Sequence, residues 1–306
     1  MAPAALSWLP VIAVFGPTAS GKSAVAETIA DRIPAGLVSA DSAQVYRGLP
    51  ILTNQPERPT RLVAIWELDH EASVGEYQRL AHGAIDDVAA AGRTPVVVGG
   101  TGLYLRAALG ELELPPPPAA GARERWTGVY DRLGGAAAHE LLAARDPAAA
   151  AAVHPNDRRR VVRALELAEA GRSLRPETDR LWADVHRRPA LVFGLEVDRQ
   201  ELARRIERRT REMFERGVVD EVRRAAGRPL SRTAGKVMGL REVAELPPGE
   251  AAERLALRTR QYAAYQRKWM RRIPGLITVD GNRPPEEVAS AILALASARE
   301  RLPRRG

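Results

Sequence analysis

The sequence predicts an α/β fold in which a parallel sheet is flanked by helices and carries an inserted, mainly helical domain. Three observations predict it. Short β-branched strands alternate with helix-period stretches, a glycine-rich loop joins the first strand to the first helix, and the composition changes after Gly110. With 306 residues, 45% of them hydrophobic, the chain can bury a sizeable core as one large domain or two ordinary ones.

Val11 to Phe15 is a short apolar run, and the loop Gly16-Pro17-Thr18-Ala19-Ser20-Gly21-Lys22-Ser23 follows it directly. An amphipathic stretch comes next, with Val25, Ile29 and Ile33 on one face, so the order reads strand, loop, helix. Leu37 to Ala40 is a second strand ending at Asp41. Pro95 to Val98 is a third, running into Gly99-Gly100-Thr101 and a helix from about Leu103. Such alternation covers a parallel sheet on both faces. After Gly110, Pro115 to Pro118 forms a stiff extended connector, because proline fixes φ. Ala119 to Arg188 is helical and rich in Ala and Arg, with a helix start at His154-Pro155-Asn156-Asp157 and a stop at Gly171. Ala190 to Val197 returns to a strand. A long helix begins at Asp198, where Glu201 completes a capping-box pattern, and ends near Gly217. Another helix covers Glu250 to Arg272, and Arg299 to Gly306 reads as a frayed basic tail. The expected division is a core of residues 1–114 and 189–306 with an insert at 115–188.

The formal charge of +8 points to a polyanionic partner, although a basic surface also serves solubility alone. Lys22, Lys236 and Lys268 are the only lysines in an Arg-rich chain, which marks places that want a compact ammonium. With no Cys there is no disulfide framework, thiolate nucleophile or Cys-containing zinc site, and the five His show no metal-ligand spacing. Leu9 to Phe15 falls far short of the roughly 20 apolar residues that span a bilayer, and no secretory signal surrounds it. The expectation is a cytoplasmic protein with no membrane partner, and a monomer.

The Gly16-x4-Gly21-Lys22-Ser23 spacing is the sharpest signal. Its glycines let backbone N–H groups turn toward a phosphate while the following helix adds partial positive charge. Lys22 then reaches the outer phosphate, and the Ser23 hydroxyl can ligate a magnesium ion. The bland alternative is a glycine-rich turn between strand and helix. The loop alone says only that a di- or triphosphate binds, as in many ATPases and kinases of the P-loop NTPase-like fold.

The residues that follow narrow this. Gly16 to Ser23, Ser39-Ala40-Asp41-Ser42-Ala43-Gln44-Val45-Tyr46-Arg47-Gly48 and Gly99-Gly100-Thr101-Gly102-Leu103-Tyr104 closely resemble motifs of the tRNA dimethylallyltransferase family. So do His154 to Asp157 with Arg159, Arg160, Arg163 and Ala164-Leu165-Glu166, and Arg258-Thr259-Arg260-Gln261-Tyr262-Ala263. Five motifs in order cover residues 12 to about 272. The resemblance implies transfer of a dimethylallyl group from dimethylallyl diphosphate to N6 of adenosine 37 in the anticodon loop of tRNA, with Mg2+ as cofactor.

The exocyclic amine of adenine is a poor nucleophile, so its alkylation calls for proton removal as the bond forms, a task for a carboxylate. Asp41 sits at the carboxyl end of a predicted strand, where open α/β sheets bind ligands, and the resemblance implies that it is the general base. An aspartate holding magnesium through water is the alternative. Departure of diphosphate requires gathered cations. The resemblance has Thr101 hydrogen-bond the diphosphate and places an Arg on it in the Arg-Ile-x-x-Arg segment, with Arg205 favoured and Arg209 second. The alternative is a solvated charge paired with Glu201.

An adenosine in an anticodon loop must be extruded to react, which needs a pocket and basic surface for flanking phosphates. Asp41, Ser42, Ala43 and Gln44 resemble the family's base-contacting segment. Arg159, Arg160 and Arg163 are RNA candidates on the helix from Asn156, and Lys236-Val237-Met238-Gly239-Leu240-Arg241 resembles a tRNA-contacting stretch, with Lys236 and Arg241 as the contacts. Tyr262, Tyr265 and Trp269, at i, i+3 and i+7, read as a core stripe between solvated basic flanks.

The chain departs from the family pattern at Leu52-Thr53-Asn54-Gln55-Pro56, at Ala64 to Asp69 and at Gly239-Leu240. Competing readings are an adenylate isopentenyltransferase, a small-molecule P-loop kinase and a non-catalytic RNA-binding protein. The insert and the basic helices favour a large RNA substrate over a free nucleotide.

Overall fold

The computed structural model describes residues 10–114, 118–175 and 180–300. It divides into two compact units, Met1–Glu111 with Leu181–Gly306, and Leu112–Arg180. The larger unit begins with β1 (Val11–Phe15), α1 (Lys22–Arg32), β2 (Ala35–Ser39), α2 (Val74–Ala90), β3 (Thr94–Gly99) and α3 (Gly102–Leu109). The smaller unit contributes α4 (Ala122–Arg145), α5 (Pro147–Ala152) and α6 (Arg158–Glu169). The larger unit resumes with β4 (Ala190–Glu196), α7 (Arg199–Glu215), α8 (Val218–Ala226), α9 (Leu240–Glu245), α10 (Pro248–Met270), β5 (Ile277–Asp280) and α11 (Pro285–Glu300).

The sheet has the order β2-β3-β1-β4-β5, and every pairing is parallel. All five residues of β1 are buried, as befits a central strand covered on both faces. Ile12 and Val14 join Val96, Phe193, Val25, Ile29, Val288 and Ile292 in one core, so α1 and α11 cover that face. Ala13 and Phe15 point the other way and are equally buried. Tyr77 on α2 stacks on Tyr104 of α3 at 4.0 Å, and its hydroxyl donates to Ser39 O at 2.8 Å, tying α2 to the end of β2.

Asp198 caps α7 by accepting the N–H groups of Gln200 (2.8 Å) and Glu201 (3.1 Å), but the expected capping box is not completed, because the Asp198 N–H donates to Asn282 Oδ1 (3.2 Å) and the Glu201 carboxylate pairs with Arg204 and Arg205. The expected insert boundary of 115–188 shifts, because residues 181–188 belong to the larger unit. Fully buried Arg106 donates to Leu181 O (2.8 Å) and Ala183 O (2.7 Å), and the Arg187 N–H donates to Leu109 O (2.8 Å). Arg187 and Arg188 both pair with Asp86. Pro115 to Pro117 of the expected connector, and the tail from 301 onward, lie outside the described residues.

In the smaller unit α4, bent at Gly134, packs on α5 and α6 through Ala138, Leu142, Ala149, Val153, Val161 and Leu165. Asp157 caps α6 from the Arg160 N–H at 3.1 Å. Glu166 is buried on α6 and receives Arg123 (2.5 Å) and Arg163 (2.9 Å). Burial pushes its carboxyl up, but the hydrogen bonds from these two guanidiniums hold it below the usual range.

Candidate active site

The loop from Gly16 to Ser23 wraps the N-terminus of α1. Ala19 and Gly21 adopt φ of 62° and 88°, the left-handed region that turns successive amides inward, and at Ala19 this costs a side chain about 1 kcal/mol or more. Gly21 caps α1 without any side-chain hydrogen bond, so the first helical N–H groups stay available to an anion. Ser20 is buried behind the loop, and Lys22 Nζ donates to Pro17 O at 3.3 Å. Burial pushes the Lys22 amine down to about 8, against the upward pull of Asp41 and with a further push down from Arg209.

Asp41 leaves the carboxyl end of β2 and meets the end of β3 because Gly99 has no side chain. A Cβ there would collide with Ala40 O. The close approach lets the Thr101 N–H donate to Ala40 O at 3.2 Å. Thr101 Oγ1 accepts the Ser42 N–H at 3.1 Å and lies 3.2 Å from Ser42 Oγ. Asp41 Oδ1 accepts the Ala43 N–H at 2.9 Å, which fixes the carboxylate. Gln44 is locked by Ser39 Oγ and Asn54 O, both at 2.9 Å. The departing segment is well anchored. Gln55 Nε2 donates to Tyr46 O at 2.8 Å, the N–H groups of Ile51 and Leu52 each reach buried Glu221 at 2.8 Å, and Trp66 stacks on His70 at 4.8 Å.

The two candidate arginines of α7 separate. Arg205 donates to Glu201 at 2.8 Å and to Gly281 O at 3.2 Å, so its charge is already partnered. Arg209 donates to Thr18 Oγ1 at 2.8 Å and lines one cavity with Lys22, Ser23, Asp41 and Gln44. Burial pushes its guanidinium pKa down, and Asp41 opposes that. Among the described residues its Nε is buried without a hydrogen-bond partner, a donor suited to an anion. Arg205 lines a second, more open cleft with Ala19 to Ser23 of the loop, and Arg209 lines that cleft as well.

The sequence reading missed Gln266. It is buried on α10, its Oε1 accepts the Thr18 N–H at 2.8 Å, and its Nε2 donates to Gly100 O at 2.8 Å. It thereby joins the phosphate loop to the turn that presents Thr101. The expected aromatic core stripe on α10 is corrected. The buried positions are Ala251, Leu255, Ala256, Ala263 and Gln266, whereas Tyr265 is 54% exposed and Tyr262 and Trp269 are half-buried. The buried face includes Gln266 because its side chain hydrogen-bonds both the phosphate loop and the β3–α3 turn. Tyr262 is hydrogen-bonded to Thr101 and lines a cavity with Asp41, Thr18 and Arg209, and burial pushes its hydroxyl up to about 12.

Of the RNA candidates, Ser42, Ala43 and Gln44 flank Asp41. Lys236 is exposed in a short 3-10 turn, and exposed Arg241 pairs with Glu245 at 2.8 Å. In the smaller unit Arg159 and Arg160 are exposed, while Arg163 is engaged with Glu166. Among the described residues no group of three or more His, Asp or Glu could hold a metal. Ser23, the residue expected to hold magnesium, lines the cavity, and its hydroxyl fits an ion that takes its remaining ligands from substrate oxygens and water.

Comparison with known proteins gives the family. The IPP transferase family profile matches residues 44–273. The chain is 39% identical over 284 residues to a tRNA dimethylallyltransferase of Streptomyces griseus, covering 89% of this chain and 90% of that one. It is 42% identical over 282 residues to the tRNA dimethylallyltransferase of Thermobifida fusca, covering 86% and 88%. The crystal structure of a tRNA isopentenylpyrophosphate transferase from Bacillus halodurans superposes with a TM-score of 0.67 at 29% identity, over 96% of this chain and all of that one. A eukaryotic dimethylallyltransferase acting on tRNA shares the fold, with a TM-score of 0.77 at 24% identity over 97% of this chain and 81% of that one. With a profile match across most of its length and relatives near 40% identity, the chain belongs to the IPP transferase family.

Proposed function

We propose that this chain is a tRNA dimethylallyltransferase that moves the dimethylallyl group of dimethylallyl diphosphate onto N6 of adenosine 37 in the anticodon loop. The observation that carries the reading is that Asp41, Lys22 and Arg209 line one cavity. A general base and a set of cations for a leaving group stand there within reach of one small substrate.

In the proposed step the N6 lone pair forms a bond to C1 of the dimethylallyl group while the C1–O bond breaks. The diphosphate leaves with the electron pair, and the N6 proton passes to the Asp41 carboxylate. Loop amides from Gly16, Pro17, Thr18, Ala19, Ser20 and Gly21, with Lys22, Ser23 and Arg209, hold the diphosphate, and the Thr101 hydroxyl donates to it. Arg205 meets the diphosphate from the open cleft that Lys22, Ser23 and Arg209 also line, with its charge partly offset by Glu201. Magnesium on the Ser23 hydroxyl and diphosphate oxygens would add positive charge to the leaving group. Ser42, Ala43 and Gln44 contact the extruded base, and Arg159, Arg160, Lys236 and Arg241 meet RNA phosphates. We assign the enzyme to the cytoplasm as a monomer. None of the described helices is long and apolar enough to cross a membrane.

The test is incubation of the purified protein with unmodified tRNA, dimethylallyl diphosphate and magnesium, followed by nucleoside mass spectrometry, with AMP and ATP as parallel acceptors. Prenylated adenosine confined to tRNA supports the proposal. Prenylated AMP would replace it with a free-nucleotide enzyme, and phosphate release from ATP without RNA would replace it with a kinase-like activity.

A further inference from the structure

Three aromatic side chains of α10 run along the turn between β3 and α3. Tyr262 sits on Thr101 inside the cavity that holds Asp41. Trp269 covers Gly102 at the start of α3, where a Cβ would strike the indole ring. Tyr265 stands between them, its centroid 6.3 Å from Tyr262 with planes inclined by 26°, and 6.5 Å edge-on from Trp269. Trp182 extends the row at 4.8 Å from Trp269 and is topped by the Arg272 guanidinium at 3.7 Å. The row therefore leads from the reacting cavity outward, and Tyr265, 54% exposed, is its open member.

An exposed tyrosine this close to a buried site has little to gain from folding, since its outer face stays in water. The residues around it are cationic. Lys268, Arg271 and Arg272 are exposed on the same stretch, and among the described residues neither Lys268 nor Arg271 forms an ion pair with a carboxylate. A flat π face with the exposed ammonium of Lys268 one turn along the same helix face suits an unstacked nucleotide, which offers a ring to the tyrosine and a phosphate to the lysine. Extrusion of the target adenosine strips a stacking partner from its neighbour, so a replacement surface beside the cavity offsets part of that loss.

We propose that Tyr265 is a stacking platform for the nucleotide adjacent to the adenosine that enters the Asp41 cavity. This rests on the tRNA-prenylating reading above. Tyr265 is an RNA-binding residue that does not touch the reacting atoms. Its effect falls on RNA recognition, and dimethylallyl diphosphate binding is independent of it.

The experiment uses the full chain as wild type, Tyr265→Leu and Tyr265→Phe, with a synthetic anticodon stem-loop and two versions carrying 2-aminopurine immediately before or after the target adenosine. Tyr265→Leu is expected to raise the KM for the unlabelled stem-loop roughly tenfold with kcat nearly unchanged, and Tyr265→Phe to restore it. At one of the two labelled positions the fluorescence is quenched on binding to wild type and to the Phe variant but not to the Leu variant. Equal KM values and equal quenching for wild type and Tyr265→Leu overturn the platform. Absence of prenyl transfer by the wild type to any stem-loop overturns the enzymatic reading instead, so the two failures are distinct.

Discussion

Gln266 Oε1 lies 2.8 Å from the backbone nitrogen of Thr18, across 248 residues of sequence, and the same amide donates to Gly100 O. One side chain thus sets the distance between the phosphate loop and the Thr101 turn. Gln266→Ala leaves the half-buried Thr18 N–H and the buried Gly100 C=O without this partner, at about 1–3 kcal/mol for the buried group. The expected result is a fall of ten- to a hundredfold in kcat/KM, with tRNA affinity within a few-fold of wild type. A steady-state comparison with a filter-binding assay checks it, and unchanged kcat/KM refutes the coupling.

Asp41→Asn preserves the acceptor for the Ala43 N–H, so the turn keeps its shape while the base is lost. Transfer is expected to fall by at least a hundredfold, with tRNA binding within a few-fold. An equal loss of both would mean that Asp41 organises the loop and does not remove the proton.

The Lys22 amine, lowered to about 8, is protonated below that pH and increasingly neutral above it. A bound diphosphate raises it again, so binding takes up a proton once the pH exceeds about 8, and affinity falls by up to tenfold per unit from there upward. Dissociation constants for dimethylallyl diphosphate between pH 7 and 9.5 are expected to bend near 8 in wild type. In Lys22→Met they are expected to be weak and flat over that range. A flat wild-type profile would remove Lys22 from the diphosphate.

Arg209 and Arg205 are one helical turn apart, yet only Arg205 is neutralised by Glu201. Arg209→Ala is expected to raise the KM for dimethylallyl diphosphate by tenfold or more and to lower kcat. Arg205→Ala is expected to change KM by less than about fivefold. Isothermal titration with a non-hydrolysable diphosphate analogue separates the two, and the reverse ranking would return the leading role to Arg205.

Local sequence signals located what local physics controls. The phosphate loop, the strand that ends at Asp41 and the Asp198 cap depend on residues within a few positions of each other, and each stands where its spacing predicts. The signal for α2 was present too, since Ser73 accepts the Glu76 N–H and Tyr77, Ala81, Ala84, Ile85 and Val88 form a buried helical face. Gln266 was illegible because its partners, Thr18 and Gly100, are distant in sequence and use only backbone atoms. The aromatic positions of α10 misled for a related reason. Their helical spacing fits a core stripe, but the contacts of Gln266 with Thr18 and Gly100 put Ala263 and Gln266 on the buried face. The end of the insert was misjudged because fully buried Arg106 claims Leu181 and Ala183 through carbonyls that carry no sequence signal.

The arginines of α6 make opposite predictions although they are close in sequence. Arg163 is held by Glu166, whose buried carboxylate depends on it and on Arg123. Removing one partner from a buried pair costs more than the pair contributes, because the remaining charge stays desolvated. Arg163→Ala is therefore expected to lower thermal stability measurably and to leave the salt dependence of tRNA binding nearly unchanged. Arg159 and Arg160 are exposed, so Arg159→Ala and Arg160→Ala are expected to leave stability intact. Each should reduce the slope of log affinity against log salt by roughly one counterion. Binding titrations from 50 to 300 mM salt, paired with thermal melts, decide the point. A reduced slope for Arg163→Ala at unchanged stability would mean that it leaves Glu166 to meet a phosphate, and that the ion pair belongs to the RNA-free enzyme alone.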